Sequence, residues 1–542
     1  MKHNNVSELI DVQARKHPDK ASIHCAKKRL IGGYSYPSYT FLELEERINK
    51  LCHKLVELGV KPRQKVLFFV KQNLDFCAIT YALFRLGATV VFIDPGMKRE
   101  YLFNAIKEVS PEVLIGIPKV HFIRYMFKDI FSSIKVFITT GTFGGPNSKS
   151  IYRGLKSKNA GFEAFQPEKN DLAAILYTSG GTGAPKGVEY THDIFINQSK
   201  MLQREFRLTH DDFDIPGFPL FSFFTLSMGM SSCIPDMDPS KPAEVDPAKL
   251  YKNITDTKAS FLAGSPAIYE KLADYCLKYK LTIPNVKYLV MFGAPVRVSL
   301  HKKYAKILTN GTSYTPYGAT ECLPVSNISG KEILSTHQKN IENGEGTCVG
   351  KPLEGVQLKI IETSDDNIDS LKNIKELSTH EIGEIIVHSP NVTKAYFKNE
   401  RATKSSKIYE KDKVWHRMGD VGYLDGKGNL WFCGRQKHIV EIKNQKYYPN
   451  QVETVFNAHS MVSKSALIKD QKENQPAIVI ERKDKLNIIE PMLLMDLKNL
   501  AQTNEKTKNI QKFYVQSQFP VDVRHNIKID RTKIEHEING GQ

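Results

Sequence analysis

The sequence predicts an α/β protein: a large N-terminal part with parallel-rich sheets flanked by helices, followed by a small α+β part. Three observations lead there. Helical and strand-like periods alternate through the first 130 residues, the alternation resumes between residues 259 and 292, and short strands mixed with helices follow Gly434-Arg435-Gln436-Lys437. Strands that alternate with helices need crossover connections, so neighbouring strands run parallel and helices cover the sheet faces.

Each element has its own signal. Residues 41–58 carry apolar side chains at three- and four-residue spacing, which predicts an amphipathic helix. Residues 65–70 are a short apolar run and predict a strand; 75–86 predict a helix and 88–93 another strand. Residues 259–262 and 287–292 repeat the strand signal, and 357–361 and 383–387 are strand-like runs separated by a polar loop, 363–379. Residues 141–170, rich in Gly, Ser and Lys, predict a long loop. No internal repeat or low-complexity segment interrupts this order.

Length and composition bound the function. A chain of 542 residues exceeds one core and divides into two or more domains. We place the boundary at the Gly434-Arg435 turn, giving units 1–434 and 435–542. The eight cysteines form no CxxC pair and no Cys/His quartet, which predicts a reducing, cytoplasmic setting without structural zinc. The polar N-terminus reads as no signal peptide. A net charge of +17 comes from lysines spread along the chain without a basic run, so nucleic acid is not predicted as a partner, whereas anionic substrates are. Residues 215–235 carry no charge over about the length of a membrane span, but three prolines break them. They predict a pocket wall rich in Phe, Leu and Met, suited to an acyl chain, and no transmembrane segment; peripheral membrane contact stays open.

Chemistry concentrates in a few short segments. An apolar strand, 172–176, runs into Tyr177-Thr178-Ser179-Gly180-Gly181-Thr182-Gly183-Ala184-Pro185-Lys186-Gly187. Glycines let backbone N–H groups turn toward a ligand, hydroxyls add donors, and the lysine adds a positive charge, which together make a polyphosphate cradle. Glycine follows the lysine where a Walker loop has Ser or Thr for magnesium. Taken alone, the segment also reads as a flexible loop between strands. Tyr317-Gly318-Ala319-Thr320-Glu321 combines an aromatic plate for a purine with a carboxylate able to hold Mg²⁺ beside a phosphate oxygen, or is a solvated turn. Asp420, in a glycine turn, can accept both hydroxyls of a ribose, or simply shapes a hairpin. An apolar strand ends in Arg435, and Lys528 sits between two apolar residues near the C-terminus.

The order of these segments resembles the adenylate-forming superfamily of acyl-CoA synthetases, adenylation domains and luciferases, almost end to end. The resemblance implies a β-subdomain within the large unit and a mobile C-terminal lid. It assigns Thr178, Ser179, Gly180, Gly181, Thr182, Gly183 and Lys186 to the β- and γ-phosphates of ATP. Gly293, Ala294, Pro295, Tyr317 and Gly318 would flank adenine; Thr320 would contact the phosphates and Glu321 the phosphates and Mg²⁺; Asp420 and Arg435 would bind ribose. Lys528, Glu321, Thr182 and Lys186 are the implied catalytic residues. Within the superfamily, residues 234–239, 317–325, 416–423, 431–435 and 522–528 resemble the β-lactone synthetases of bacterial long-chain olefin biosynthesis. Those enzymes adenylate a long-chain β-hydroxy fatty acid, whose hydroxyl then displaces AMP; the resemblance also implies companion enzymes of that pathway.

Two departures bear on the choice of product. CoA ligases continue past Gly-Arg with Lys-Asp and a later Gly-Gly pair along the pantetheine path. Here Lys437-His438 and Lys443-Asn444 stand instead, which disfavours CoA. Gly181 replaces a more usual serine and predicts slow turnover. The alternatives are a long-chain acyl-CoA ligase and a non-catalytic nucleotide- or acyl-binding protein.

Overall fold

Two seven-stranded sheets dominate the N-terminal part, and each follows the predicted alternation. The computed structural model describes residues 4–94, 96–155, 160–178 (Thr178 by its backbone), 184–521 and 528–540. The first sheet runs Lys186–Thr191, Leu172–Thr178, Thr89–Phe92, Lys65–Phe69, Val113–Gly116, Val136–Thr139, Lys149–Ser150. All its pairings are parallel except that of the first two strands. The second runs Thr312–Tyr314, Tyr288–Met291, Phe261–Gly264, Phe213–Pro216, Ser231–Ile234, Ala21–Cys25, Ser38–Thr40, antiparallel only at the last pair. Strands such as Val113–Gly116 and Phe261–Gly264 are buried at every residue, as helices on both faces of a parallel sheet require.

The helices start and stop where local chemistry dictates. Thr40 and Glu43 form a reciprocal capping box that opens helix Phe41–Glu57. Asn73 caps helix Leu74–Leu86, which ends at Gly87 in the left-handed region, φ 79°. A Cβ at Gly87 would lie 2.4 Å from the Phe165 ring, so both conformation and packing demand glycine there.

Between residues 315 and 447 the strand pairings are antiparallel. Tyr317–Ala319, Cys322–Asn327 and Lys351–Pro352 make a small sheet; Thr347–Cys348, Leu430–Arg435, Lys413–Leu424, Gly383–His388 and Gln357–Ile361 make a larger one, with Lys407–Glu410 paired to Lys413–Leu424. A separate C-terminal sheet, Val462–Asp470, Gln475–Arg482 and Lys512–Val515, packs against helices Pro449–Asn457, Pro491–Gln502 and Arg531–Gly540 around its own apolar clusters. The 141–170 loop holds one short strand that the sequence reading lacked, Lys149–Ser150, which lengthens the first sheet. Residues 215–235 form strand, helix and strand rather than one helix, and no described helix is long and apolar enough to cross a membrane. All eight cysteines are free.

Candidate active site

A cleft of about 2150 Å³ lies between the two large sheets and the antiparallel part, with Lys528 and Arg531 of the C-terminal part in its wall. It gathers eleven of the residues singled out from the sequence: Lys186, Gly293, Ala294, Pro295, Tyr317, Gly318, Thr320, Glu321, Asp420, Arg435 and Lys528. Ser179, Gly180, Gly181, Thr182 and Gly183 lie outside the described residues. The flanks of that loop are set: Thr178 pairs with Lys186, so the segment joins two antiparallel strands at the cleft edge.

Asp420 departs from expectation in its setting. It sits within the long strand Lys413–Leu424, opposite Arg435, and not in a turn. The neighbouring Gly419 has φ 63°, and the register shifts just beyond Asp420. The irregularity read from the glycines is therefore a distortion inside a strand. Asp420 is only 4% exposed. Its Oδ2 accepts a hydrogen bond from the Tyr317 hydroxyl at 2.7 Å, and its Oδ1 lies 3.0 Å from Arg435 Nη1. One hydrogen of that guanidinium nitrogen goes to the Met418 carbonyl, 3.1 Å away, and Oδ1 is a buried acceptor with no aligned donor among the described residues. Burial pushes the Asp420 carboxyl up, and the Arg435 charge, the Tyr317 hydrogen bond and the Lys528 ammonium pull it back.

Glu321 is held from a distance. Its Oε1 accepts from the Tyr396 hydroxyl at 2.6 Å, and the Lys186 ammonium lies over the Tyr396 ring, 4.9 Å from the centroid. The Tyr190 hydroxyl donates to the Thr320 carbonyl. Lys407, 2% exposed, donates to Thr393 Oγ1 at 3.2 Å; burial lowers its ammonium to about 8 and Glu321 supports the charge. Opposite it, His416 bonds the Ser406 carbonyl through Nδ1 at 3.1 Å, which assigns the proton to that nitrogen. Burial first, and then Lys407, Arg435 and Lys186, keep that ring neutral. Sequence reasoning missed Tyr396 and Lys407. Tyr396 reaches Glu321 across 75 residues, with no local spacing to betray it.

The connection to the C-terminal part is tight. A Cβ on Gly434, φ 140°, would lie 2.9 Å from Pro449 Cδ. His438 faces the cleft with both ring nitrogens buried and without a hydrogen-bond partner among the described residues; burial, then Arg531, Lys437 and Arg435, lower it to about 3. Lys443 and Asn444 form the tip of the hairpin Val440–Ile442/Gln445–Tyr447, both left-handed with φ 49° and 65°, exposed and outside the cleft wall.

The other end of the cleft is apolar. Phe218, Phe221 and Phe224, from the uncharged 215–235 segment, line it with Phe292, whose ring centroid is 4.3 Å from that of Phe221. The cleft thus joins a cationic and acceptor-bearing end to a phenylalanine-lined end.

These donors fit a nucleotide. Asp420 Oδ1 offers the unfilled acceptor that a sugar hydroxyl needs, and Lys186 and Lys528 bring positive charge for phosphates. Among the described residues no cluster of three His, Cys, Asp or Glu could hold a metal by itself. Glu321 alone fits Mg²⁺ only as an ion shared with phosphate oxygens, the usual mode for that hard cation.

Comparison with known proteins agrees with this geometry. A family model described as AMP-binding enzyme matches residues 10–397. The chain is 35% identical over 550 residues to an olefin beta-lactone synthetase of Xanthomonas campestris pv. campestris, covering 98% of this chain and 96% of that one. It is 24% identical over 493 residues to the acyl-CoA ligase sidI of Aspergillus fumigatus, covering 86% and 79%. ATP-bound MatB from Rhodopseudomonas palustris has the same fold, with a TM-score of 0.77 at 22% identity over 99% of both chains. Lys186, the Tyr317–Asp420–Arg435 cluster and Lys528 share one cleft, and the chain belongs to the AMP-binding enzyme family as an AMP-forming ligase.

Proposed function

We infer that the protein activates a long-chain β-hydroxy fatty acid with ATP and closes it to a β-lactone. The observation that carries this reading is the continuity of one cleft from Lys186, Asp420 and Lys528 to Phe218, Phe221 and Phe292. An acyl chain fits the apolar end with its carboxylate directed at the charged end. The similarity to olefin beta-lactone synthetases over nearly the whole chain supports the substrate class and product.

In the first step the acid's carboxylate attacks the α-phosphorus and pyrophosphate leaves. Positioning and charge neutralisation dominate such a displacement. Lys528 would hold the carboxylate and α-phosphate. Lys186 and the Thr178–Gly183 loop, with its Ser179, Thr182 and backbone donors, would hold the β- and γ-phosphates. Asp420 and Arg435 would hold the ribose, and Tyr317, Gly318 and Gly293–Pro295 the adenine. Mg²⁺, held by Glu321 with phosphate oxygens, would neutralise charge on the departing pyrophosphate. In the second step the β-hydroxyl attacks the acyl carbonyl, its proton is released and AMP leaves. Residues 1–434 serve as the adenylating unit and 435–542 as a lid carrying Lys528.

One feature favours lactone over thioester. Where CoA ligases carry a glycine pair, the hairpin tip keeps a left-handed backbone that glycines adopt most readily, yet carries the side chains of Lys443 and Asn444. The test incubates the purified protein with ATP, Mg²⁺ and 3-hydroxymyristic acid, with and without CoA, and identifies products by mass. The expected product is the acid minus water, formed equally without CoA. A CoA thioester would replace this reading with that of an acyl-CoA ligase, and ATP binding without pyrophosphate release would leave a binding protein.

A further inference from the structure

A hairpin whose base lines the cleft carries the most exposed large apolar residues in the described chain. Strands Lys27–Lys28 and Tyr34–Ser35 pair antiparallel, and the tip between them presents Leu30 and Ile31 at 106% and 91% exposure. Single exposed aliphatic residues are ordinary on protein surfaces. This pair differs in three ways. It is adjacent, it is held out by an anchored base, and Lys27, Lys28 and Arg29, all exposed, precede it directly.

The anchoring is specific. The Arg29 amide donates to the Gly33 carbonyl at 3.1 Å, and the Tyr34 hydroxyl donates to Asp236 at 2.8 Å. Tyr34 and Tyr36 pack against the core of the second sheet. Gly32 and Gly33, with φ 65° and 74°, make the turn, and nothing lies within 4 Å of where their Cβ atoms would stand. The tip is therefore a fixed prominence in open space, and its aliphatic side chains contribute nothing to the core. Lys27, at the hairpin's base, lines the cleft together with Cys25 and Ala26. Ile31 is four residues further on, so it lies no more than about 14 Å from the cleft wall.

We propose that this hairpin docks the protein on an anionic phospholipid surface, Leu30 and Ile31 entering the acyl boundary while Lys28 and Arg29 meet the headgroups. Aliphatic insertion combined with lysine and arginine attraction is the physical basis of peripheral membrane binding, and each contribution is modest alone. Docking there sets the mouth of the acyl cleft next to the phase in which a long-chain acid partitions. The proposal rests on the reading of the cleft as an acyl site only for its purpose; binding itself requires no turnover.

The test is co-sedimentation of the full-length protein with vesicles of phosphatidylglycerol and phosphatidylcholine, against vesicles of phosphatidylcholine alone. The wild type is expected to pellet with the anionic vesicles and to be released by 0.5 M salt, where the Debye length falls to about 4 Å from about 30 Å in dilute buffer. Leu30→Ser/Ile31→Ser should lower partitioning on the order of 10²-fold, and Lys28→Glu/Arg29→Glu should abolish the preference for anionic vesicles. Both variants should keep the wild-type melting temperature and pyrophosphate release from a short, water-soluble acid. A wild type that stays in the supernatant, or a serine variant that pellets as well as the wild type, overturns the proposal. So does a serine variant that instead changes the particle mass in solution, which would mark the tip as a contact between copies. A protein that binds vesicles but releases no pyrophosphate would overturn the catalytic reading and leave the docking surface standing.

Discussion

Replacing Asp420 by Asn tests the nucleotide site at its most constrained atom. The carboxylate keeps Oδ2 on the Tyr317 hydroxyl at 2.7 Å and holds Oδ1 as a buried acceptor 3.0 Å from Arg435 Nη1. In Asp420→Asn the amide oxygen can retain the tyrosine, which forces the NH₂ toward Arg435 and toward the cleft. A donor then faces both the guanidinium and any incoming ribose hydroxyl. The loss is one hydrogen bond to a charged group, about 1.5–3 kcal/mol, or roughly 10- to 150-fold in ATP affinity. Stability should change little: burial already opposes the Asp420 charge, and Arg435, 47% exposed, keeps much of its hydration. Titration calorimetry with MgATP on the full chain reads the affinity, and differential scanning fluorimetry reads the fold. An affinity within twofold of wild type, with the fold intact, would refute the assignment of Asp420 to the ribose.

Arg417→Met should do the opposite. It leaves Glu384, 2% exposed, as an unpaired buried carboxylate, so chemical denaturation should report a loss of about 3–5 kcal/mol, while ATP affinity of the folded fraction stays near wild type. His301 is 1% exposed and burial lowers it to about 4, so the unfolded chain binds its proton first as pH falls below 6.5. The stabilising neutral form is complete above pH 6.5 and its contribution is lost down to about pH 4. Over that window the wild type should therefore lose about 3 kcal/mol more than His301→Gln, measured by urea unfolding at each pH; parallel curves would contradict the burial argument. Phe292→Trp adds bulk against Phe221, 4.3 Å away, and should lower pyrophosphate release with a C14 acid about tenfold relative to a C8 acid; an unchanged ratio would place the chain elsewhere.

The alternation of strands and helices was legible because a parallel sheet writes itself as short, continuous apolar runs. Residues 65–70 and 88–93 became Lys65–Phe69 and Thr89–Phe92, with ends moved by a residue where a run outlasts its pairing. The candidate site was legible wherever chemistry clusters locally, as at Tyr317–Glu321. It failed where a role depends on burial alone. Lys407 is one lysine among many until its strand pairs with Lys413–Leu424 and carries it inside. Tyr396 reads as an ordinary aromatic until the Val188–Tyr396 bridge sets it beside Lys186 and Glu321. The Asp420 turn was misread for a related reason: glycines on both sides imitate a turn, but pairing with Leu430–Arg435 holds them in a distorted strand.

That strand also separates scaffold from site by a criterion that does not depend on similarity. Arg417 and Asp420 lie three residues apart, both buried, both paired with an opposite charge. Arg417 is saturated. Its Nε and Nη2 bind Glu384 at 3.0 and 2.7 Å, and its remaining hydrogens reach the carbonyls of Ser364, Asp366 and Ser405. Nothing is left for a ligand, and the residue's effect is to pin the 364–366 loop along the cleft. Asp420 is unsaturated: one oxygen is bonded, while the other, though buried, has a charge nearby but no donor pointed at it. An unfilled acceptor in a low-dielectric setting is costly, and a fold keeps one where a ligand supplies the missing donor. All of these groups line the cleft, but Glu384 has both oxygens on Arg417, whereas Glu321 has the Tyr396 hydroxyl on one. The unfilled acceptor of Asp420, inside the cleft that Lys186 and Lys528 also line, thus marks it as a ligand-facing group.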